Sequence, residues 1–284
     1  MDIRRIIGVF CLLLLIVVVL FLAQPLFQSQ HKHELAVSFL DVGQGDSIFI
    51  ESHSGIQMLI DGGANRSVLR ALSRQMKWYD KHIDIILATH PDADHIGGLV
   101  DVLERYDVDY VYQSGVAHDT PEAFAFNSAT EKEGAEKIFA RRGDVIDLGG
   151  EVYVEVLFPD RDIFEVETNT GSVIVRVVYG DTSFFLSGDS PQSIEEYVVA
   201  LDGKSLKSDV LKIGHHGSRT STAVALLGFV APKYGVISRG CDNRYGHPHP
   251  DVMELLERFE IETLDTCEEG TITFTSDGAS LQLK

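Results

Sequence analysis

Short apolar runs separated by turn residues recur along the chain after residue 35, and they predict a protein rich in β-strands. The first three runs, at 36–40, 47–50 and 57–60, are separated by glycine-containing turns, as expected for neighbouring strands. A helix is predicted at 67–76 and a strongly apolar strand at 83–88. This pattern indicates three consecutive strands of a β-sheet, followed along the chain by the first helix.

The remaining chain alternates strand patterns with helix patterns. A predicted helix at 97–106 is followed by a mixed polar segment at 113–145, which is interpreted as a loop and helix insertion. Gly180 and Asp181 between two apolar runs indicate a hairpin turn. This order predicts an α/β protein with a two-layer β core and helices outside it. The further predicted strands are 151–157, 172–179, 182–187, 209–213, 234–238, 271–275 and 279–283, and the further helices are 191–200, 221–229 and 250–258.

The chain opens with an apolar stretch of 18 residues at 6–23, directly after Arg4 and Arg5. This length is just sufficient for a helix to span a bilayer, and the paired arginines favour a cytoplasmic N-terminus with the following domain outside. A cleaved signal peptide is the alternative, although its apolar region is usually about 7–15 residues long. The predicted organisation is a cytoplasmic segment at 1–5, a single-pass transmembrane anchor at 6–23, a polar tether at 24–34 and a large domain at 35–284.

Charge is unevenly distributed along this acidic chain, whose formal net charge is −19. Residues 101–170 contain 17 acidic and 6 basic side chains, whereas residues 201–250 contain 7 basic and 3 acidic ones. Because non-specific nucleic-acid binding depends on neutralising phosphates, the acidic balance argues against a surface-wide DNA binder. The basic zone could receive one anionic phosphate; the alternative is that the charge serves solubility alone.

Composition adds two smaller points. The 284 residues are 44% hydrophobic, which suffices for one sizeable core or two small ones. Of the three cysteines, Cys11 lies in the apolar run, while Cys241 and Cys267 either pair in an exported domain or remain unpaired thiols.

The segment 89–95 concentrates potential metal ligands immediately after a predicted strand. It contains His90, Asp92, Asp94 and His95, and imidazole and carboxylate groups are common ligands of divalent cations. Alternation would point His90, Asp92 and Asp94 to one side of an extended loop, while His95 enters from the start of the next helix. The alternative is a polar helix cap at Asp94, but two histidines and two aspartates exceed what capping requires.

This segment resembles the signature loop of the metallo-β-lactamase superfamily, His-x-His-x-Asp-His, with Asp92 in place of the second histidine. Together with four further stretches, it resembles the metal-hydrolase domain of ComEC-type competence proteins, which act in DNA uptake. The resemblance implies an αββα sandwich over 35–284 with the site at one edge of the paired sheets. It implies a stand-alone hydrolase domain, with a separate membrane channel protein as an expected partner. The four stretches are 39–47, 187–189, 211–218 and 243–248.

The resemblance also assigns metal ligands outside this segment. Asp189 follows an apolar strand, and its matching position in the family bridges two cations; the alternative is an ordinary turn aspartate. His215 and His216 follow another strand and are expected to point in opposite directions. His216 is favoured as the ligand and His215 as the group that contacts phosphate or transfers a proton, with the reverse assignment open. The predicted ligands are His90, Asp92, Asp94, His95, Asp189 and His216.

Four further residues are expected around these ligands. Asp61 matches a position that braces a motif histidine, although a turn role fits the sequence equally well. His247 is expected at the rim of the site, where it would contact substrate or complete a metal shell, and Asn243 would orient its loop. Asn169 lies in the segment where many relatives carry a histidine ligand, so it is a weak candidate ligand.

These expectations combine into metal-assisted hydrolysis of a phosphodiester. One or two cations, Zn²⁺ or Mn²⁺ with Mg²⁺ as a further option, would generate a bound hydroxide that attacks phosphorus; the carboxylate of Asp92 favours the harder ions. Asp94 would orient the hydroxide, His215 would protonate the leaving oxygen, and His247 would contact the substrate. DNA is the expected substrate. The alternatives are a non-nucleic envelope ester, lactone or β-lactam, and a non-catalytic partner domain of a DNA-uptake apparatus.

Overall fold

The structure, a computed structural model, describes Leu14 and residues 34–284. Apart from Leu14 and Glu34, the predicted cytoplasmic segment, transmembrane anchor and tether lie outside the described residues. Within the described part, no helix is long and apolar enough to cross a bilayer. The anchor therefore stays a prediction, and the described fold begins at Leu35.

Strands and helices follow one another over residues 35–284. In chain order they are β1 (Leu35–Phe39), β2 (Ile48–Glu51), β3 (Gln57–Ile60), α1 (Ser67–Gln75), β4 (His82–Ala88), α2 (Ala93–Leu103), β5 (Asp107–Gln113), α3 (Pro121–Glu133), β6 (Glu136–Phe139), β7 (Val145–Asp147), β8 (Val152–Phe158), β9 (Ile174–Tyr179), β10 (Thr182–Leu186), α4 (Gln192–Asp202), β11 (Val210–Lys212), α5 (Val224–Val230), β12 (Tyr234–Ile237), α6 (Pro250–Arg258), β13 (Glu262–Asp265), α7 (Thr266–Glu269), β14 (Ile272–Ser276) and β15 (Leu281–Leu283).

The strands form two mixed sheets. The first has the order β15-β14-β1-β2-β3-β4-β5-β6, and the second has the order β13-β12-β11-β10-β9-β8-β7. Strands β3 to β6 are parallel in the first sheet, and strands β10 to β13 are parallel in the second. Functional loops commonly follow the carboxyl ends of parallel strands, and the predicted ligand segments follow β4, β10 and β11.

The apolar residues divide into three layers. One cluster fills the space between the sheets and includes Phe39, Phe184 and Phe274. A second cluster packs α1, α2 and α3 on the first sheet, and a third packs α4, α5 and α6 on the second. Neighbouring strand residues point to opposite faces, so Phe184 joins the inner cluster while Phe185 packs under the helices. The predicted two-sheet sandwich with outer helices is confirmed.

Several predicted boundaries were wrong. Helix α2 begins at Ala93 and not at Gly97. Its glycines allow the helix to pack closely on the segment after β3, since a β-carbon at Gly98 would lie 2.0 Å from the carbonyl oxygen of Gly62. The segment 113–145 contains the expected helix α3, but strand β6 follows it and β7 begins at its end. Strands β5 and β13 were not predicted, because polar residues interrupt their apolar pattern.

A disulfide links the loop after β12 to helix α7. Cys241 and Cys267, whose pairing the sequence left open, are bonded and have a sequence separation of 26 residues. The crosslink restrains the start of the loop 240–247, which carries His247. It therefore connects the stability of the second sheet to one rim of the candidate site.

Replacing Cys241 and Cys267 together by serine should lower the unfolding free energy by about 2–4 kcal/mol, because the crosslink restricts the unfolded chain. Urea unfolding of the full chain with and without reductant measures this difference. Reductant should lower the stability of the wild type to that of the double variant and leave the variant unchanged. Equal stability of the two proteins without reductant would contradict the crosslink.

Candidate metal centre

A buried carboxylate after β10 lies at the centre of the candidate site. Asp189 is 3% exposed and follows the end of a strand whose five residues are all buried. Its Oδ2 lies near the Nε2 atoms of four histidines, at 3.3 Å from His95, 3.4 Å from His216, 3.7 Å from His215 and 4.0 Å from His90. Imidazoles from two separate segments therefore converge on one carboxylate.

The loop after β4 and the first turn of α2 supply two of these histidines. Asp92 is the N-cap residue of α2 but makes no side-chain capping hydrogen bond, and its Oδ2 lies 3.7 Å from His90 Nε2. Asp94 lies within the helix, so the prediction that it belongs to an extended alternating loop was wrong. The helical turn instead places Asp94 Oδ2 3.4 Å from His216 Nε2.

His215 and His216 lie in a 3-10 turn, Gly214–Gly217, that follows β11. Both have positive φ, 49° and 56°, so the expected opposite orientations of a strand end do not apply. Such left-handed backbone costs about 1–3 kcal/mol at each residue other than glycine. The strained turn directs both rings toward Asp189, with His216 buried and His215 side chain 26% exposed.

Glu195 on α4 supports this turn from behind. Its carboxylate accepts hydrogen bonds from the backbone N–H of Thr222 at 3.0 Å and of Ala223 at 2.6 Å. A β-carbon at Gly214 would lie 3.1 Å from Glu195 Oε1, so the turn packs directly on the carboxylate. Burial outweighs the two N–H donors and raises the pKa of Glu195 to about 7.

Asp61 braces the first ligand segment. Its Oδ2 accepts a hydrogen bond from His95 Nδ1 at 2.8 Å, and its two oxygens also accept from Thr89 N and Thr89 Oγ1 at 2.8 and 2.7 Å. With the proton of His95 on Nδ1, Nε2 is left to face Asp189. This carboxylate–imidazole contact fixes the ring orientation that a metal ligand requires.

His247 and Asn243 occupy the rim of the site. Asn243 donates to the carbonyl oxygens of Gly240 and His247 and accepts from His247 N, so it holds the loop closed. The His247 ring lies 5.7 Å from the His215 ring, centroid to centroid, and stacks on Tyr245 at 5.6 Å. Burial, assisted by His215 and His216, lowers the pKa of His247 to about 4.

Asn169 lies in a short 3-10 turn, Asn169–Gly171, whose end contacts the ligand loops. Ser172 Oγ accepts a hydrogen bond from Asp189 N at 3.3 Å, and Val173 N donates to Thr89 O at 2.9 Å. Asn169 Oδ1 is buried and lacks a hydrogen-bond partner. The turn therefore runs beside the cluster, and the role of Asn169 as a ligand stays a prediction.

Lys212 and Asp46 are two site residues that the sequence interpretation missed. Lys212 Nζ lies 2.5 Å from Asp46 Oδ2 and 3.6 Å from Asp189 Oδ1, and the Lys212 side chain is fully buried. Asp46 Oδ1 lies 3.3 Å from His216 Nδ1, which also donates to Ser238 O at 2.8 Å. A lysine inside the apolar strand 210–213 was the available signal, because lysine is almost never fully buried without a partner.

The carboxylates give the cluster a potential that attracts cations. Burial lowers the pKa of His95, but Asp189 and Asp61 outweigh it and raise that pKa well above its usual value. Burial also lowers the pKa of His216, but Asp189 and Asp46 outweigh this effect and raise that pKa to about 9. Burial prevails at His90, whose pKa lies well below its usual value.

The donor set fits a divalent cation. Buried polar atoms are normally hydrogen-bonded, yet five buried atoms of the predicted ligands lack such a partner: His90 Nε2, His95 Nε2, His216 Nε2, Asp92 Oδ1 and Asp189 Oδ1. Imidazole nitrogen and carboxylate oxygen suit Zn²⁺ and Mn²⁺. Four overlapping groups of three residues in this cluster each have ligand atoms within 4.8 Å of one another. They are His90, His95 and Asp189; Asp94, His95 and His216; Asp46, Asp61 and His95; and Asp46, Asp189 and His216.

The sequence profile of the metallo-β-lactamase superfamily matches residues 40–240, which include the donor segments after β4, β10 and β11. The chain belongs to the metallo-β-lactamase superfamily. It therefore has the two-sheet fold of metal-dependent hydrolases, and candidate histidine and aspartate ligands lie together in the described part of the chain.

Within this superfamily, the chain is homologous to ComEC-type competence proteins. It is 32% identical over 256 residues to ComE operon protein 3 of Bacillus subtilis, covering 84% of this chain and 32% of that protein. It is 29% identical over 246 residues to competence protein ComA of Neisseria gonorrhoeae, covering 86% of this chain and 32% of that protein. The chain thus spans about a third of the length of these relatives.

A solved structure of the metallo-β-lactamase fold protein YhfI from Bacillus subtilis is similar to this chain in fold. The TM-score is 0.58 at 14% sequence identity, and the match covers 86% of this chain and all of that one. At this identity the similarity concerns the fold alone. It agrees with the arrangement of two sheets and outer helices.

Replacing Lys212 by methionine should lower the unfolding free energy of the metal-free chain by about 3–5 kcal/mol, because Asp46 and Asp189 would be left buried without their cation. Asp46→Asn should also destabilise, and the double variant should lose less than the sum of the single losses. Urea unfolding after chelation measures all three. The control variant Lys204→Met replaces an exposed lysine, and its unfolding free energy should stay within about 0.5 kcal/mol of the wild-type value. Strict additivity would show that Lys212 and Asp46 do not interact.

Proposed function

We propose that the chain is a metal-dependent phosphodiesterase that cleaves DNA. The observation that carries this proposal is the pairing of a buried ligand cluster around Asp189 with two rim histidines, His215 and His247. The ligand cluster suits cations, and the rim histidines suit the oxygen atoms of a substrate. The homology to competence proteins supports nucleic acid as the substrate.

The candidate ligands would hold one or two divalent cations. His90, Asp92 and Asp189 would serve one ion, and Asp94, His95, His216 and Asp189 the other, with Asn169 as an added donor. When bound, such ions supply Lewis acidity and an activated water near neutral pH. Zn²⁺ and Mn²⁺ are the favoured ions, because the imidazole-rich side suits zinc and the carboxylate of Asp92 suits manganese.

The chain's own residues would orient the reacting groups. Asp94, which approaches His216 from the first turn of α2, would accept a hydrogen bond from the attacking water. His215 is the partly exposed histidine of the pair, and its Nδ1 is paired with Thr220 Oγ1 at 3.1 Å, so its Nε2 would protonate the leaving oxygen. His247 would contact a phosphate oxygen from the opposite rim.

Lys212 and Asp61 would position the ligands and would not contact the substrate themselves. Lys212 holds the Asp189 carboxylate from the interior, and Asp61 fixes His95, so the donor atoms are positioned before substrate binds. A single phosphate suits the basic balance of residues 201–250, whereas the acidic balance of 101–170 would repel extended DNA. We therefore infer that the enzyme cleaves near a strand end or in a single-stranded segment.

The predicted anchor at 6–23 would place this activity outside the cytoplasm at the cell membrane. A separate membrane channel protein would then be the partner that carries the cleaved or remaining strand. Both inferences rest on the sequence and on the homology to competence proteins.

Asp189→Ala should lower metal-dependent kcat/KM by about a thousandfold or more, since it removes a shared ligand and the centre of the charge cluster. The full chain, stripped of metal and reloaded with Mn²⁺, Zn²⁺ or Mg²⁺, is assayed on bis(p-nitrophenyl) phosphate and on linear single-stranded DNA. Asp181→Ala, an exposed hairpin aspartate, is the matched control and should keep full activity. Undiminished hydrolysis by Asp189→Ala would refute the proposal, and cleavage of the small ester alone would exclude DNA.

His215→Gln should lower kcat more for a substrate with a basic leaving oxygen than for one whose leaving oxygen departs without protonation. We expect a loss of roughly 10²–10⁴-fold on a dinucleotide, whose leaving alkoxide is strongly basic, as is typical of a lost general acid. The loss on bis(p-nitrophenyl) phosphate should be far smaller, because p-nitrophenolate leaves without protonation. The kcat values on both substrates test this, and equal losses would assign His215 a binding or structural role.

A further inference from the structure

A cavity of about 240 Å³ opens beside the ligand cluster and takes no part in the function proposed above. His90 and Pro91 form its inner wall, and Phe126 of α3, Phe139 of β6 and Phe164 line it further out. Drug-sized ligands usually occupy about 300–1,000 Å³, so this cavity fits a single ring system with a short substituent.

The outer walls of the cavity are fixed by hydrogen bonds. Arg141 donates to Ser114 O at 2.9 Å and to Asp162 Oδ1 at 2.8 Å, which ties the segment after β5 to the segment after β8. Ala117 N donates to Phe164 O at 3.0 Å across the same two segments. The two loops are therefore joined to each other, and the cavity between them is built into the fold.

Contacts also join the cavity to the metal centre. His118 lines the cavity, and its Nδ1 lies 3.2 Å from Pro91 O and 3.7 Å from Asp92 Oδ1. His90 contributes both to the cavity wall and to the cluster around Asp189. A ligand in the cavity would thus lie on the opposite side of His90 from a phosphate held at the metal centre.

The lining chemistry suits a flat, polar aromatic ring. Phe139 and Phe164 line the cavity and are 52% and 66% exposed, so part of each ring is accessible to a ligand. Lys137 and Arg141 lie 5.8 and 5.7 Å from the centre of the Phe139 ring. Gln113 adds a buried Nε2 that has no hydrogen-bond partner. Apolar ring faces combined with edge donors are what a nucleobase requires.

We propose that this cavity binds the nucleobase of the nucleotide whose phosphate lies at the metal centre. Phe139 and Phe164 would stack on the base, and Gln113 would donate to its edge. This inference rests on the proposed phosphodiesterase function and specifies its substrate as a nucleotide. A small base cavity next to the cluster also explains how an acidic protein selects nucleic acid, because stacking requires no basic surface.

The test compares two esters that share one leaving group, thymidine 5′-(p-nitrophenyl) phosphate and methyl p-nitrophenyl phosphate. The full metal-loaded wild type should prefer the nucleoside ester in kcat/KM. Phe139→Ala and Phe164→Ala should each reduce this preference about tenfold, as expected when a base loses one stacking partner. Phe139→Tyr should retain the preference. Phe124→Ala, which removes an exposed phenylalanine of α3 outside the cavity, is the matched control and should leave it unchanged.

A binding measurement separates the cavity from catalysis. Saturation-transfer NMR of the metal-free full chain with thymidine 5′-monophosphate should show contact to the base protons, and Phe139→Ala should weaken it. The base could belong to a DNA strand or to a free nucleotide. Single-stranded oligonucleotides with abasic terminal nucleotides distinguish these two sources. Slower cleavage of these oligonucleotides would assign a DNA base, whereas an effect confined to the mononucleotides would assign a free nucleotide.

The outcomes are distinct for the two proposals. If neither ester is cleaved with any metal, the phosphodiesterase proposal fails. The presence or absence of saturation transfer to the base protons still shows whether the cavity binds a nucleobase. If both esters are cleaved but the preference is absent, or is unaffected by Phe139→Ala and Phe164→Ala, the nucleobase assignment is overturned.

Discussion

The buried negative charge of Asp189 is the constraint that the rest of the site has to satisfy. A carboxylate away from water is costly unless cationic or hydrogen-bonding groups compensate it. Lys212 provides one such group from β11, and His95 and His216 provide two more from other segments. The left-handed backbone at His215 and His216 is strained, and it brings both rings to the same carboxylate.

Around this centre the side chains form two layers with different tasks. The inner layer presents the Nε2 atoms of His90, His95 and His216, which lack hydrogen-bond partners. The outer layer holds the same imidazoles at Nδ1, through the Thr89 hydroxyl, the Asp61 carboxylate and the Ser238 carbonyl respectively. Asp61 serves His95 in this way, and Asp46 approaches His216 while it pairs with Lys212. These three contacts fix the ring orientations of the candidate histidine ligands.

The sequence predicted the sandwich and the cluster because both leave local signals. Alternating apolar strands give the layers, and the concentration of ligands at 89–95 lies next to the strongest of them. What escaped prediction depends on long-range contact. The direction of His215 and His216 follows from a left-handed turn, and the role of Lys212 follows from Asp46, which lies 166 positions earlier in the chain. The cavity beside His90 combines segments from β5 to β8, whose polar pattern gave no sign of an enclosure.

The return of the C-terminal hairpin to the first sheet has a consequence for the order in which the protein matures. Strand β1 pairs with β2 on one side and with β14 on the other, and β14 begins only at Ile272. During synthesis, one side of β1 therefore stays unpaired until residues 272–276 have been made. The segment that follows β1 carries Asp46, which pairs with Lys212, so one support of the candidate metal centre is attached to a strand whose second neighbour is synthesised late. A nascent chain that ends before Ile272 would already contain all the candidate ligands, although β1 would still lack one of its two neighbouring strands.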